Sequence, residues 1–132
     1  MNSHLELAHA YTVLTHRYAD AVDRGDGEAV AAMFDRAGSW NGREFGLDVL
    51  TGHDAIVKQF SSSEPSGSVH LVSNHLVVDV SSSRPRAFST AHAIIPRDEL
   101  VRHVIVRYED VLIEQDDEWK FANRTLRRAV SF

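Results

Sequence analysis

His70-Leu71-Val72-Ser73-Asn74-His75-Leu76-Val77-Val78-Asp79-Val80 is the stretch on which the reading of this chain turns. Apolar and polar residues alternate along it, which argues for a β-strand. With a side-chain period of two, His70, Val72, Asn74, Leu76 and Val78 fall on one face, and Leu71, Ser73, His75, Val77 and Asp79 on the other. A histidine and an amide on a face that is otherwise Val and Leu suit the wall of an apolar pocket. Such pockets bind small molecules through a few well-placed polar groups. The odd spacing of His70 and His75 places them on opposite faces, so no shared metal is expected there.

Outward from this strand, the second half of the chain keeps the same period. Residues 69–80, 86–96, 100–114 and 118–130 read as strands, separated by the turn material Ser81-Ser82-Ser83-Arg84-Pro85, Pro96-Arg97-Asp98 and Gln115-Asp116-Asp117. Connections this short imply an antiparallel meander, because parallel crossovers need a dozen or more residues.

The first half reads differently. Ser3-His4-Leu5-Glu6 has the form of a capping box, followed by a helical stripe of Leu7, Tyr11, Leu14, Tyr18 and Val22. Gly25 ends that helix and Asp26 caps a second one carrying Val30, Met33 and Phe34. Gly38-Ser39-Trp40-Asn41-Gly42 reads as a short strand and turn. Thr51-Gly52-His53-Asp54 opens a third helix containing Ala55, Ile56, Gln59 and Phe60, and Ser61–Ser68 is a loop by composition. The expected fold is α+β: one domain over residues 1–132, with a cone-like, curved antiparallel sheet packed on three N-terminal helices.

Composition narrows the function classes. The 132 residues are 43% hydrophobic and 25% charged, ordinary for a globular domain. Fourteen basic against nineteen acidic residues give a net charge of −5, and Arg124, Arg127 and Arg128 are the one basic cluster, so no nucleic-acid partner is expected. There is no cysteine, which excludes disulfides and thiolate chemistry. No glycine-rich phosphate loop is present, and neither cofactor nor metal is expected. Without an apolar run of membrane-spanning or signal-peptide character, a cytoplasmic location is the default and no membrane partner is expected.

Five segments together resemble the NTF2-like superfamily, and within it the SnoaL-like branch. They are Arg17-Tyr18-Ala19-Asp20-Ala21-Val22-Asp23-Arg24-Gly25-Asp26, Gly52-His53-Asp54-Ala55-Ile56, His70-Leu71-Val72-Ser73-Asn74-His75, Arg107-Tyr108-Glu109-Asp110, and Glu118-Trp119-Lys120-Phe121-Ala122-Asn123-Arg124. The resemblance implies a cone-shaped sheet around a cavity for a small hydrophobic molecule. The closest functional pattern is that of scytalone dehydratase and bile-acid 7α-dehydratase, in which a helix aspartate faces a strand histidine. Carried over, the aspartate falls on Asp23 and the histidine on His70. Tyr18, five residues before Asp23, stands where the bile-acid enzyme has a tyrosine. Further polar positions of the scytalone enzyme are not matched: Arg97, Val106 and Tyr108 stand where it has His, Ser and Asn.

The implied catalytic set is therefore His70, Asp23 and Tyr18, with Asn74, Tyr108, Trp40 and Phe60 lining the substrate site. An imidazole serves as base and then as acid near neutral pH. An aspartate on its other nitrogen fixes the tautomer, and a tyrosine hydroxyl polarises a substrate carbonyl. That set suits a cofactor-independent dehydratase or an isomerase acting on an apolar, carbonyl-bearing molecule of polyketide or steroid type. The alternative is a non-catalytic binding or assembly module resembling the β subunit of ring-hydroxylating dioxygenases. Val101, Ile105, Val111 and Ile113 share a face with His103, Arg107 and Glu109, a mixture that suits a homodimer formed by sheet packing.

Overall fold

The computed structural model describes residues 4–62 and 67–130. Ser3, the proposed capping serine, and Pro65 of the predicted loop lie outside them. The chain opens with helix α1 (His4–Arg24), whose buried stripe is Leu7, Tyr11, Leu14, Tyr18 and Ala21. Gly25, at φ 67°, takes the left-handed conformation that ends the helix. Asp26 then accepts the Ala29 amide at 3.0 Å and caps α2 (Gly27–Ala32). Helix α2 stops at Ala32, so Met33 and Phe34 do not continue it; Met33 caps it and Phe34 begins strand β1 (Phe34–Asn41). The strand expected at residues 38–42 is thus longer and starts earlier. A 3-10 turn at Arg43–Phe45, β2 (Val49–Thr51) and α3 (His53–Phe60) follow.

The long strands are β3 (Val69–Val78), β4 (Arg86–Arg97), β5 (Leu100–Gln115) and β6 (Glu118–Arg128). They form the expected antiparallel meander within a six-stranded sheet of order β2-β1-β6-β5-β4-β3. Its one departure from antiparallel pairing is β1 beside β6. The sheet is curved and stays open, with the three helices against its inner face.

The inner face of β4 consists of Ala87, Ser89, Ala91 and Ala93, all buried. Such small side chains leave room for the aromatic residues of α1. Its bulky Phe88, His92 and Ile94 point the other way.

Two bulges decide which side chains face inward. On β3 the register runs from Ser73↔Thr90 to Leu76↔Phe88, three steps against two, so one extra residue sits on β3. Asn74 absorbs the distortion at φ 56°, a conformation asparagine tolerates better than most residues. The alternation inverts beyond it. On β6 the register runs from Phe121↔Leu112 to Asn123↔Val111, two steps against one, and the alternation inverts again. Phe121 and Arg124 consequently share the inner face, both fully buried.

Candidate active site

Asp23 lies in the last turn of α1, where a carboxylate gains nothing from the helix dipole. Its partners come instead from the start of β3. Oδ1 is 2.5 Å from Nδ1 of His70, Oδ2 accepts the backbone N–H of His70 at 3.0 Å, and the Ser68 hydroxyl donates to Oδ1 at 3.2 Å. A carboxylate can only accept, so Nδ1 carries a proton, and in the neutral ring Nε2 holds the lone pair. The side chains of His70 and Asp23 are 15% and 22% exposed, so solvent reaches the pair without dissolving it.

Tyr18 is buried one step deeper. Its hydroxyl accepts the indole N–H of Trp40, from β1, at 2.9 Å. Its ring meets Phe60, Tyr108 and Phe121 edge-on at 5.9–6.0 Å between centroids. Burial pushes the Tyr18 phenol far above its ordinary range, with the neighbouring Tyr108 adding to it, so the hydroxyl stays protonated. Trp40 also packs on Phe60 at 5.2 Å. Trp40 is therefore more than pocket wall, because its N–H fixes the Tyr18 oxygen and leaves the phenol proton to be given elsewhere. Tyr108 is buried too, and its phenol is pushed up by burial while it feels the charges of Arg124, Asp110 and Asp23. The geometry thus brings His70 to Asp23, and separately Tyr18 to Trp40, Phe60 and Tyr108.

Asn74 is not part of this site. The bulge leaves it exposed, and His75 and Val77 turn inward in its stead. His75 therefore lies on the same side of β3 as His70, against the simple alternation. It bonds the buried Thr15 hydroxyl through Nε2 at 2.6 Å. Burial, helped by His16 and Arg124, lowers its pKa and favours the neutral ring. Among the described residues no three metal-ligating side chains come together.

A second group, outside the implied catalytic and lining set, lies deeper still. Tyr11 donates to Asp110 Oδ2 at 2.6 Å and contacts Ser89 Oγ at 2.8 Å. Arg124 Nε approaches Asp110 Oδ1 at 3.2 Å, both side chains being wholly buried. The approach is off the line a hydrogen bond needs, so it counts as an ion pair only. Burial outweighs the attraction of Arg124 and pushes the Asp110 carboxyl up to about 6.

A cleft of about 540 Å³ opens elsewhere, along the first half of α1, between His9, Val13, Arg17, Met33, Trp119 and Lys120. It contains none of the predicted site residues. Asp23 and His70 meet instead at the end of α1. No helix among the described residues is long and apolar enough to cross a membrane.

Comparison with solved structures returns the same architecture. A candidate aromatic ring hydroxylase from Novosphingobium aromaticivorans superposes with TM-score 0.88 at 22% identity, over 98% of this chain and 94% of that one. A candidate scytalone dehydratase from the same organism gives TM-score 0.82 at 24% identity, over 96% and 86%. Rv3472 of Mycobacterium tuberculosis, of unknown function and carrying D26N, gives 0.81 at 22%, over 92% and 71%. At these identities the likeness is one of fold. No curated protein matches the chain. The family model for the SnoaL-like domain matches residues 3–125, and the chain belongs to that family.

Proposed function

We propose that this protein is a cofactor-independent lyase or isomerase whose base is His70, oriented by Asp23. The observation that carries the reading is the two-point hold of Asp23 on His70, through the ring and through the backbone. A histidine needed only for packing requires no carboxylate on its ring. A base does, because the aspartate fixes the tautomer and stabilises the imidazolium that forms.

In a dehydration, Nε2 of His70 removes the proton next to a substrate carbonyl, and the electron pair moves into an enolate. Tyr18, kept neutral by its burial, donates to the carbonyl oxygen. The imidazolium then returns its proton to the departing hydroxyl, which leaves as water, and a conjugated enone remains. In an isomerisation the same proton goes back to a different carbon. The aromatic interior of Tyr18, Trp40, Phe60 and Tyr108 suits a small, ring-containing, apolar substrate. The fold shared with a candidate scytalone dehydratase supports this reading. The fold shared with a candidate aromatic ring hydroxylase would suit an assembly module, but such a module has no use for a tautomer-fixing dyad.

The test is a panel of cyclic β-hydroxy-ketones and β,γ-unsaturated ketones, followed by the ultraviolet absorption of the conjugated product. Turnover by the wild type that is lost in His70→Ala, with the fold intact by circular dichroism, is the expected result. Equal turnover in both proteins, or none with either class, would overturn the reading.

A further inference from the structure

Arg124 is fully buried, and its guanidinium lies against three aromatic rings. Its guanidinium carbon lies 3.4 Å from the ring centroid of Tyr108, 4.2 Å from that of Tyr18 and 4.5 Å from that of Phe121. Ring faces attract the cation but do not take up the N–H groups that lie in the guanidinium plane. Asp110 approaches only Nε, and Nη1 and Nη2 have no hydrogen-bond partner among the described residues. A buried cation with an unsatisfied donor edge is costly, and structures retain one where a partner arrives to complete it.

Nη1 and Nη2 together present a planar fork of donors that matches two oxygens of one carboxylate. The fork sits beside two of the rings assigned to the substrate site, Tyr18 and Tyr108. Tyr18, over whose ring the guanidinium lies, stands on α1 five residues before Asp23, which places the fork and the dyad along the same helix. Asp110, with its own bond from Tyr11, approaches the guanidinium at Nε, so Nη1 and Nη2 are the donors left over.

We propose that the Nη1–Nη2 edge of Arg124 binds a substrate carboxylate, so that the ligand is an apolar ring compound carrying an acid group at the end remote from His70. The proposal rests on the acid–base reading of His70 and Asp23 only for the word substrate. The anion site itself is tested separately.

The probes are 2-naphthoate and 2-acetylnaphthalene, which share a ring body and differ in charge, titrated calorimetrically into the full chain. Wild type is expected to bind the naphthoate at least tenfold more tightly. In the Arg124→Met, Asp110→Asn double variant, which leaves no unpaired buried charge, the preference is expected to vanish. His70→Ala is expected to keep it. If the double variant fails to fold, Arg124→Lys serves, since it keeps the charge and loses the fork, and most of the preference should go with it. No preference in the wild type, binding of neither probe, or a preference that survives in the Arg124 variants would overturn the proposal. Loss of turnover without loss of naphthoate binding in His70→Ala separates the dyad from the anion site. Unchanged turnover in that variant would sink the dyad and leave the anion site standing.

Discussion

Asp23 grips His70 twice, its Oδ1 on the ring at 2.5 Å and its Oδ2 on the backbone amide at 3.0 Å. One carboxylate thereby ties the end of α1 to the start of β3 and sets the tautomer of the imidazole. The same contact joins secondary structure and chemistry. That is why an aspartate sits where the helix dipole disfavours it.

The tautomer argument fixes what Asp23→Asn will do. An asparagine can turn its amide N–H toward Nδ1, which then accepts and moves the ring proton to Nε2. The base is lost although the geometry survives. With a substrate in hand, His70→Ala is expected to lower kcat by about 10²–10⁴-fold. Asp23→Asn should fall within the same range, and the double variant should be little worse than either single one. Steady-state kinetics on the three proteins check this, and additive losses would show that the two residues do not act as a unit.

Trp40 and Tyr18 make a second pair with separable roles. Trp40→Phe keeps a ring against Phe60 but removes the donor to the Tyr18 oxygen. Tyr18→Phe removes the group proposed to polarise the carbonyl and leaves the indole N–H without a partner, at about 1–3 kcal/mol. Tyr18→Phe should therefore cost more in both rate and stability. Urea denaturation with kinetics on both variants tests the order, and a larger kcat loss in Trp40→Phe would reverse the assignment.

The meander was legible because residues 69–128 alternate over long runs between obvious turns, and the observed β3–β6 bounds follow that pattern closely. Asp23 and His70 were found through family resemblance, since spacing alone does not pair residues 47 apart. What strict alternation missed lies beyond the two bulges. One extra residue at Asn74 sent that amide outward and brought His75 in. The irregularity between Phe121 and Asn123 turned Arg124 inward, so a member of the one basic cluster is the most buried charge among the described residues. Pattern reading carries no sign of a bulge unless a glycine marks it, and neither of these has one. The parallel pairing of β1 with β6 was hidden for a related reason. Phe34 lies within reach of a helical stripe, and only the tertiary pairing with Phe121 makes it the start of a strand.

Asp110 gives the fold a pH signature. Its carboxyl is pushed from an ordinary 3.8 up to about 6 by burial, against the pull of Arg124. Between these values the folded state holds a proton that the unfolded chain has released. The stabilisation is complete below about pH 4 and is lost as the pH rises through about 6. Asp110→Asn lacks this step. From pH 4 to 7 the stability of wild type relative to Asp110→Asn should fall, by up to ~3 kcal/mol for a shift of about two units. Urea melts of both proteins across that range measure it. A flat or rising difference would mean that the carboxylate stays ionised against Arg124 throughout.

The outer face of the sheet supplies the last prediction. Leu71, at 54% exposed, shares the outer face with the similarly exposed Val69, Leu76 and Val101, and the cross-strand pairs Leu71↔His92 and Ile94↔His103 lie on the same surface. His92 Nε2 and His103 Nδ1 meet at 2.7 Å on this face. The helices pack on the inner face, so among the described residues this apolar area has no cover. Contiguous patches of this kind mark association sites, and a sheet face meets a copy of itself about a two-fold axis without leaving an open end. The wild type is accordingly expected to be a homodimer at micromolar concentration by light scattering. Leu71→Glu should shift it to a monomer with unchanged circular dichroism, because a two-fold axis places the new charge in the patch twice. A wild type that is monomeric at that concentration, or a Leu71→Glu variant that stays dimeric, would rule this surface out as the interface.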